Sequence, residues 1–514
     1  MIMNKKVCSI FLVAALALTT FAGIQSVRAD KIEASAKMQG TVQSESTTGT
    51  ESEEKNTIPK YIFLFIGDGM SYPQIQSASY YLGATQSDGK VETKELSFMQ
   101  FPVAGSAQTY DSTSFCPDSA STATSISTGY KTYSGTINMD TTMTISYETI
   151  AEKLKKQLGY KIGVLSTVNL NHATPAAFYA HQASRNNYYE IGLELVKSNF
   201  DYFAGGALKQ TTGADGDQTD LYKLAERAGY TVIRNQGAAN ALEAKDGKAI
   251  VIHDNLADSD AMPYAMDADE NEMQIADYVE KGIEVLKNDT GFFMMVEGGK
   301  IDWACHANDA ASSIHDTLAL NDAIEKAIKF YKQYPEDTLI LVTGDHETGG
   351  LTIGYAGTNY DTYLTNLENQ KISYAKFDSD YVSKYKKDFT DFSFVLEDIE
   401  ENFGLAVEGE NQTLVLTDYE YKLLENAYNR TLDCGMKSQK DMTQREYELY
   451  GSYEPLTVTI THILNKKSGI SFSSYSHTGI PVPVFAQGAG AEEFQGYYDN
   501  TDIFKKLAGL TQVK

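Results

Sequence analysis

No apolar stretch in this chain of 514 residues is suited to crossing a bilayer; the run from Ile10 to Ala22 falls short of the roughly 20 residues a spanning helix needs. Cysteine is scarce as well. Four cysteines exclude a disulfide scaffold, and with Cys8 inside the leader described below, Cys116, Cys305 and Cys434 are too few to pair completely within one chain. Positive charge is in deficit: 43 Lys and Arg face 69 Asp and Glu, a net charge of -26. Such a surface repels a phosphate backbone, which excludes nucleic acid as a specific partner. An anionic substrate would need a local cationic site, either metal ions or a buried Arg.

What is present is an ordinary globular composition, 42% hydrophobic and 22% charged. Lys5-Lys6, the apolar run and Val27-Arg28-Ala29 have the order of a secretory signal, with cleavage expected after Ala29. The protein is thus expected to be exported, to the periplasm or the medium, with no membrane span. Residues 30–57 are rich in Ser, Thr, Glu, Lys and Gly and are expected to form a flexible linker.

From Ile58 a different pattern begins. Short apolar runs end in Gly, Ser or Thr followed by a polar residue: Tyr61 to Ile66, Ile162 to Leu165, Phe292 to Val296 and Thr338 to Val342. They read as buried parallel strands. Stretches of helical period lie between them, at Ile150 to Leu158, Tyr278 to Leu286 and Ile314 to Ile328, so the expected class is α/β, a three-layer sandwich around a large, mostly parallel sheet. Residues 355–454, rich in Tyr, Lys, Asp and Glu, read as an inserted, partly helical subdomain between core segments 58–354 and 455–514. Pro481 to Phe485 is expected as a last core strand and Asp502 to Leu507 as a closing helix.

In parallel sheets ligands bind beyond the carboxyl ends of the strands, where Asp68, Glu297, Asp345 and His346 fall. Asp302 and His306 stand four apart, a spacing that puts both on one helical face. With His477 these residues form a set of hard oxygens and imidazoles; Asp with His suits zinc, carboxylate with hydroxyl suits magnesium. Cys116-Pro117-Asp118-Ser119-Ala120 leads into a run of small residues, a helix start at which Ser119 is a candidate nucleophile.

Taken with Ala173-Thr174-Pro175-Ala176, Ser184-Arg185, Thr343-Gly344-Asp345-His346 and His477-Thr478-Gly479, these segments resemble the alkaline phosphatase family. The motifs keep their order from residue 61 to 354 and again from about 475 to the end; the insertion is not covered. The resemblance implies a phosphate monoesterase acting through a phosphoserine on Ser119, and a homodimer. It also implies a first zinc on Asp302, His306 and His477, a second on Asp68, Asp345 and His346, and a third ion, usually magnesium, on Thr174, Glu297 and Asp68. Arg185 would hold phosphate oxygens and Asp118 would orient it. Where some members carry Asp and Lys beside the third metal, this chain has His172 and Trp303, which bear on that metal and on phosphate release.

Relatives with similar ligands cleave sulfate esters or diesters. Neither Cys116 nor Ser119 fits the sulfatase nucleophile motif, and Ser119 with Arg185 favours monoesters over diesters. A secreted binder of metal or phosphate without catalysis would not need Ser119.

Overall fold

The structure, a computed structural model, describes residues 58–433 and 435–514; the expected signal and linker, and Cys434, lie outside them. Ten strands form the main sheet: β1 (Tyr61–Gly67), β2 (Val103–Gln108), β3 (Lys161–Asn169), β4 (Tyr202–Gly206), β5 (Tyr230–Ile233), β6 (Lys248–Ile252), β7 (Phe292–Gly298), β8 (Thr338–Gly344), β9 (Val482–Gly488) and β10 (Gly496–Asp499). They lie side by side as β10-β2-β9-β8-β1-β7-β3-β4-β6-β5. Within this sheet β9 runs antiparallel to both of its neighbours, β8 and β2, and every other adjacent pair is parallel.

The central strands are apolar on both faces because both faces are covered. In β1, Tyr61, Phe63 and Phe65 join one hydrophobic cluster while Ile62, Leu64 and Ile66 join another. β7 divides in the same way, with Phe292, Met294 and Val296 on one side and Phe293 and Met295 on the other. Helices complete the outer layers. The Ile275–Leu286 helix contributes Tyr278, Val279 and Leu286 to the first cluster, and the closing helix Thr501–Thr511 contributes Ile503 and Leu507 to the second. This is the expected three-layer α/β sandwich.

The last core strand expected at Pro481 to Phe485 is β9, which begins one residue later and runs on to Gly488. Its reversed direction is a tertiary outcome, since an apolar run has the same pattern read either way. The helix begun at Ile150 widens into a π turn over Leu154–Leu158 and stops at Gly159, whose φ of 73° is left-handed.

The helical region leaves and rejoins the core at a small antiparallel pair, in which Thr352 faces Ser471 and Ile353 faces Ile470. Phe377, Ile399, Leu424 and Ile460 from this region belong to the same cluster as Phe63, so it is packed onto one face of the sandwich.

One test of the layered core is Phe63→Ala. Its ring is fully buried, and removing it should cost about 3–5 kcal/mol of unfolding free energy in a denaturant titration. A loss below about 1 kcal/mol would mean that this layer is not close-packed.

Candidate active site

Parallel register places the chemistry. Gly67 of β1 is paired with Gly298 of β7 and with Gly344 of β8. Asp68 and Asp345 each follow their glycine directly, so two carboxylates leave the sheet side by side. Glu297 precedes Gly298 and is opposite Ile66 and Ser166. All three acids are buried. Gly69 must be glycine: its φ is 70°, and a Cβ there would lie 2.9 Å from Asp302 Cα and 2.8 Å from Thr348 Oγ1.

Asp302 and His306 lie on the helix Lys300–His306, and the predicted one-turn spacing brings carboxylate and imidazole to 3.3 Å. His477 arrives from the far end of the chain through a two-residue strand pair with Glu347–Thr348. Its Nε2 lies 3.0 Å from His306 Nε2 and 3.6 Å from Asp302. Donor atoms of Asp302, His306 and His477 form one group within 4.8 Å, and those of Asp68, Asp345 and His346 form another. Thr348 links the two: its hydroxyl donates to Asp302 Oδ1 at 2.5 Å and lies 3.3 Å from His346 Nδ1.

The chemistry of these donors fits metal ions. Nδ1 of His306 faces the Tyr475 carbonyl at 2.6 Å, and Nδ1 of His477 faces that of Pro117 at 2.5 Å. Assigning each ring its proton on Nδ1, where a carbonyl accepts it, leaves both Nε2 lone pairs pointing at one another and at a carboxylate. A shared cation resolves that arrangement, and imidazole with carboxylate is a zinc-type donor set.

The buried acids make the same demand. Burial, then the neighbouring Asp345, raises the Asp68 carboxyl well above its ordinary range. Burial and Asp302 push Asp345 up to about 8, and burial pushes Glu297 up to about 7. Without a cation these groups favour protonation; divalent ions would hold them ionised.

The Thr174 hydroxyl donates to Asp68 Oδ2 at 3.3 Å, and the Ser166 hydroxyl donates to Glu297 Oε2. Glu297 Oε1 is buried with no hydrogen-bond partner among the described residues, an acceptor left for an ion. His172 sits beside this group. Its Nε2 is 3.4 Å from Arg185 Nη2, and its ring meets Trp303 edge-on at 5.8 Å. Burial, then Arg185, lowers its pKa to about 3, so it is a neutral imidazole.

Ser119 is the first residue of the helix Ser119–Thr128 and is 2% exposed. Its Oγ lies 3.2 Å from His346 Nε2 and 3.4 Å from Asp68 Oδ1, against the second donor group. Asp118 caps this helix and also faces Arg185: Oδ1 accepts from the backbone of Ser121 and Gly135, while Oδ2 accepts from Arg185 Nη1 at 2.9 Å. One carboxylate thereby fixes the serine and the guanidinium together. The remaining N–H groups of that rigid fork suit two oxygens of one phosphate.

Sequence reasoning did not assign Thr348, Ser166 or His181 a role. The first two are hydroxyl neighbours of proposed ligands, a weak signal in a Thr-rich and Ser-rich chain. His181 stands four residues before Arg185. Its backbone N–H donates to Glu194 at 2.8 Å, and its ring lies 3.4 Å from Glu152 and 3.2 Å from Glu194. Cys305 is a buried free thiol and Cys116 an exposed one.

The family model for alkaline phosphatase matches residues 59–513. Over 518 residues the chain is 29% identical to alkaline phosphatase 4 of Bacillus subtilis (strain 168), covering 98% of this chain and 97% of the relative. Alkaline phosphatase 3 of the same organism is 30% identical over 472 residues, covering 90% of each. Among solved structures, a cold-active alkaline phosphatase from Shewanella sp. superposes with a TM-score of 0.71 at 26% identity, over 88% of this chain and 99% of the other. A mutant TAB5 alkaline phosphatase with Mg bound in its M3 site gives 0.60 at 25% identity, over 89% and 99%.

The His181 contacts carry a pH signature. Burial opposes the imidazolium, but Glu152 and Glu194 outweigh it and raise the pKa from 6.5 to about 10. A raised folded-state pKa gives stability that is complete below 6.5 and is lost as the pH climbs through about 10. The unfolding free-energy gap between wild type and His181→Gln should therefore be widest below pH 6.5 and shrink toward pH 10. A gap that is flat or widens with pH would place a neutral imidazole there.

Proposed function

The chain belongs to the alkaline phosphatase family of phosphoric monoester hydrolases, and from that premise we propose that Ser119 is the nucleophile and Arg185 the phosphate clamp. The observation that carries this reading is the position of Ser119 Oγ against His346 and Asp68, with Asp118 tying its helix to Arg185.

In this reading Asp302, His306 and His477 hold one zinc, Asp68, Asp345 and His346 a second, and Thr174 and Glu297 join Asp68 around a magnesium. Two such ions, when bound, supply Lewis-acid stabilisation for the entering and leaving oxygens of an in-line displacement. The TAB5 alkaline phosphatase that holds Mg in its M3 site is a mutant in which Glu replaces a His, which supports a carboxylate's part in holding that metal.

Ser119 Oγ forms a bond to phosphorus as the ester P–O bond breaks, and the alcohol departs with a proton. Water then attacks phosphorus from the vacated side, the P–O bond to Ser119 breaks, and phosphate leaves. Arg185 holds two non-bridging oxygens through both steps, and Asp118 keeps its plane fixed. Large stabilisation is required, because phosphate monoesters are among the slowest esters to hydrolyse unaided.

The wider reading is a homodimeric enzyme for small phosphate monoesters, exported to the periplasm or the medium through a signal at 1–29 and tethered by 30–57. Its core spans 58–354 and 455–514, interrupted by the 355–454 subdomain. No helix among the described residues is long and apolar enough to cross a membrane.

Ser119→Ala should keep the fold and the bound metal, read by elemental analysis, while monoesterase turnover falls by about a thousandfold or more. Near-normal turnover would remove Ser119 as nucleophile.

A second prediction concerns His172 and Trp303. A neutral imidazole brings no negative charge to the third ion, and indole offers phosphate no cation, so the third site should bind magnesium weakly and product should leave readily. The double substitution His172→Asp with Trp303→Lys should tighten both magnesium, by titration calorimetry, and inhibitory phosphate, while slowing turnover. Two unchanged constants would show that these residues do not tune the site.

A further inference from the structure

The helical insert and the helix Pro455–Ser468 that follows it line a cavity of 880 Å³ that no step of the proposed reaction uses. Its volume is that of a small-molecule site. Tyr355, Tyr363, Tyr419 and Tyr450 line it together with Arg445 and Lys466.

The charges in this wall do not cancel. The carboxylate lining it, Glu420, is taken by Lys467 at 3.0 Å and by the Thr417 backbone N–H at 2.8 Å. Lys422 is paired with Glu425. Among the described residues no carboxylate lies within ion-pair distance of Arg445 or Lys466. Lys466 Nζ is instead 5.9 Å from the Tyr355 ring centre, and burial lowers its pKa. Glu420 still acts on Lys466 from beyond ion-pair distance, but one carboxylate already bonded to Lys467 does not balance two further cations, and in a chain of net charge -26 such a local excess of positive charge favours an anion.

The rings narrow the ligand further. Tyr363 is 41% exposed and Tyr419 72%, so tyrosine faces remain open beside the cations. Aromatic faces stack on flat rings, and a guanidinium or ammonium takes a phosphate. A long polyanion is disfavoured, because the acidic surface beyond the cavity repels it. We propose that this cavity binds the phosphate ester of a flat aromatic ring system, of nucleoside monophosphate type, with phosphate on Arg445 and Lys466 and the ring on the tyrosines.

This is a second site beside the reacting one. His462 in the cavity wall lies 5.9 Å, ring to ring, from Tyr475, whose carbonyl faces His306 Nδ1. A ligand there is therefore separated from the first donor group by a layer of side chains. The inference stands on the cavity alone and does not require Ser119 to be the nucleophile.

Titration calorimetry of the holoenzyme with adenosine 5′-methylenephosphonate, whose P–C bond the enzyme cannot hydrolyse, tests it. The wild type should bind a second equivalent per chain beyond the one at the active centre. The double variant Arg445→Ala with Lys466→Ala should lose that equivalent while turning over 4-nitrophenyl phosphate within about twofold of wild type, which also reports that it is folded. Tyr355→Ala should weaken the second equivalent about fivefold or more. A single equivalent in the wild type, or a second that survives the double variant, would overturn the proposal. Equal affinity of the second site for inorganic phosphate alone would overturn its aromatic half.

Discussion

Three neighbouring parallel strands end in acidic residues that the fold buries, and this concentration of negative charge sets the conditions for the rest of the centre. Asp68, Glu297 and Asp345 have almost no contact with solvent, and Asp302 joins them from a helix. The cationic side chain that bears on Asp68 is Arg185, itself held by Asp118. Burying carboxylates without partners is costly enough that they would take up protons instead. Divalent ions remove that penalty, so metal binding and the stability of this region are linked.

The same acids are useful only because rigid elements aim them. Asp68 and Asp345 leave the sheet from one register row, and Ser119 and Asp118 stand at a helix start. His306 and His477 are oriented by backbone carbonyls rather than by mobile side chains. The helix Pro455–Ser468, which follows the insert, takes part in this support. Asn308, two residues past His306, meets His462 at 3.0 Å and receives the Asn465 side chain on its carbonyl at 2.7 Å. This helix therefore braces the loop that follows Asp302 and His306.

The surroundings of Trp303 show how environment decides what a residue can do. Lys300, three residues earlier, does not replace a lysine at position 303. It is fully buried, with Nζ 3.8 Å from the Tyr264 ring centre, 4.6 Å from that of Trp303 and 3.4 Å from Asp258. Its charge is taken up behind the indole by rings and a carboxylate. Trp303 thus faces the centre as an apolar wall with a cation at its back.

Local spacing and burial were legible in the sequence, because a strand covered on both faces must be apolar throughout and a helix repeats every turn. That logic located the strands ending before Asp68, Glu297 and Asp345, the shared face of Asp302 and His306, and the helix start at Ser119. The grouping of His477 with Asp302 came from a family resemblance, since no local pattern connects positions so far apart. Tertiary structure alone decided the reversed direction of β9, the bridge through Thr348, the support of Glu297 by Ser166, and the cavity lined by the insert and the helix after it. Each depends on which segments meet in space. Side-chain periodicity records how a segment is buried, whereas strand direction and distant contacts follow from the packing of the whole chain.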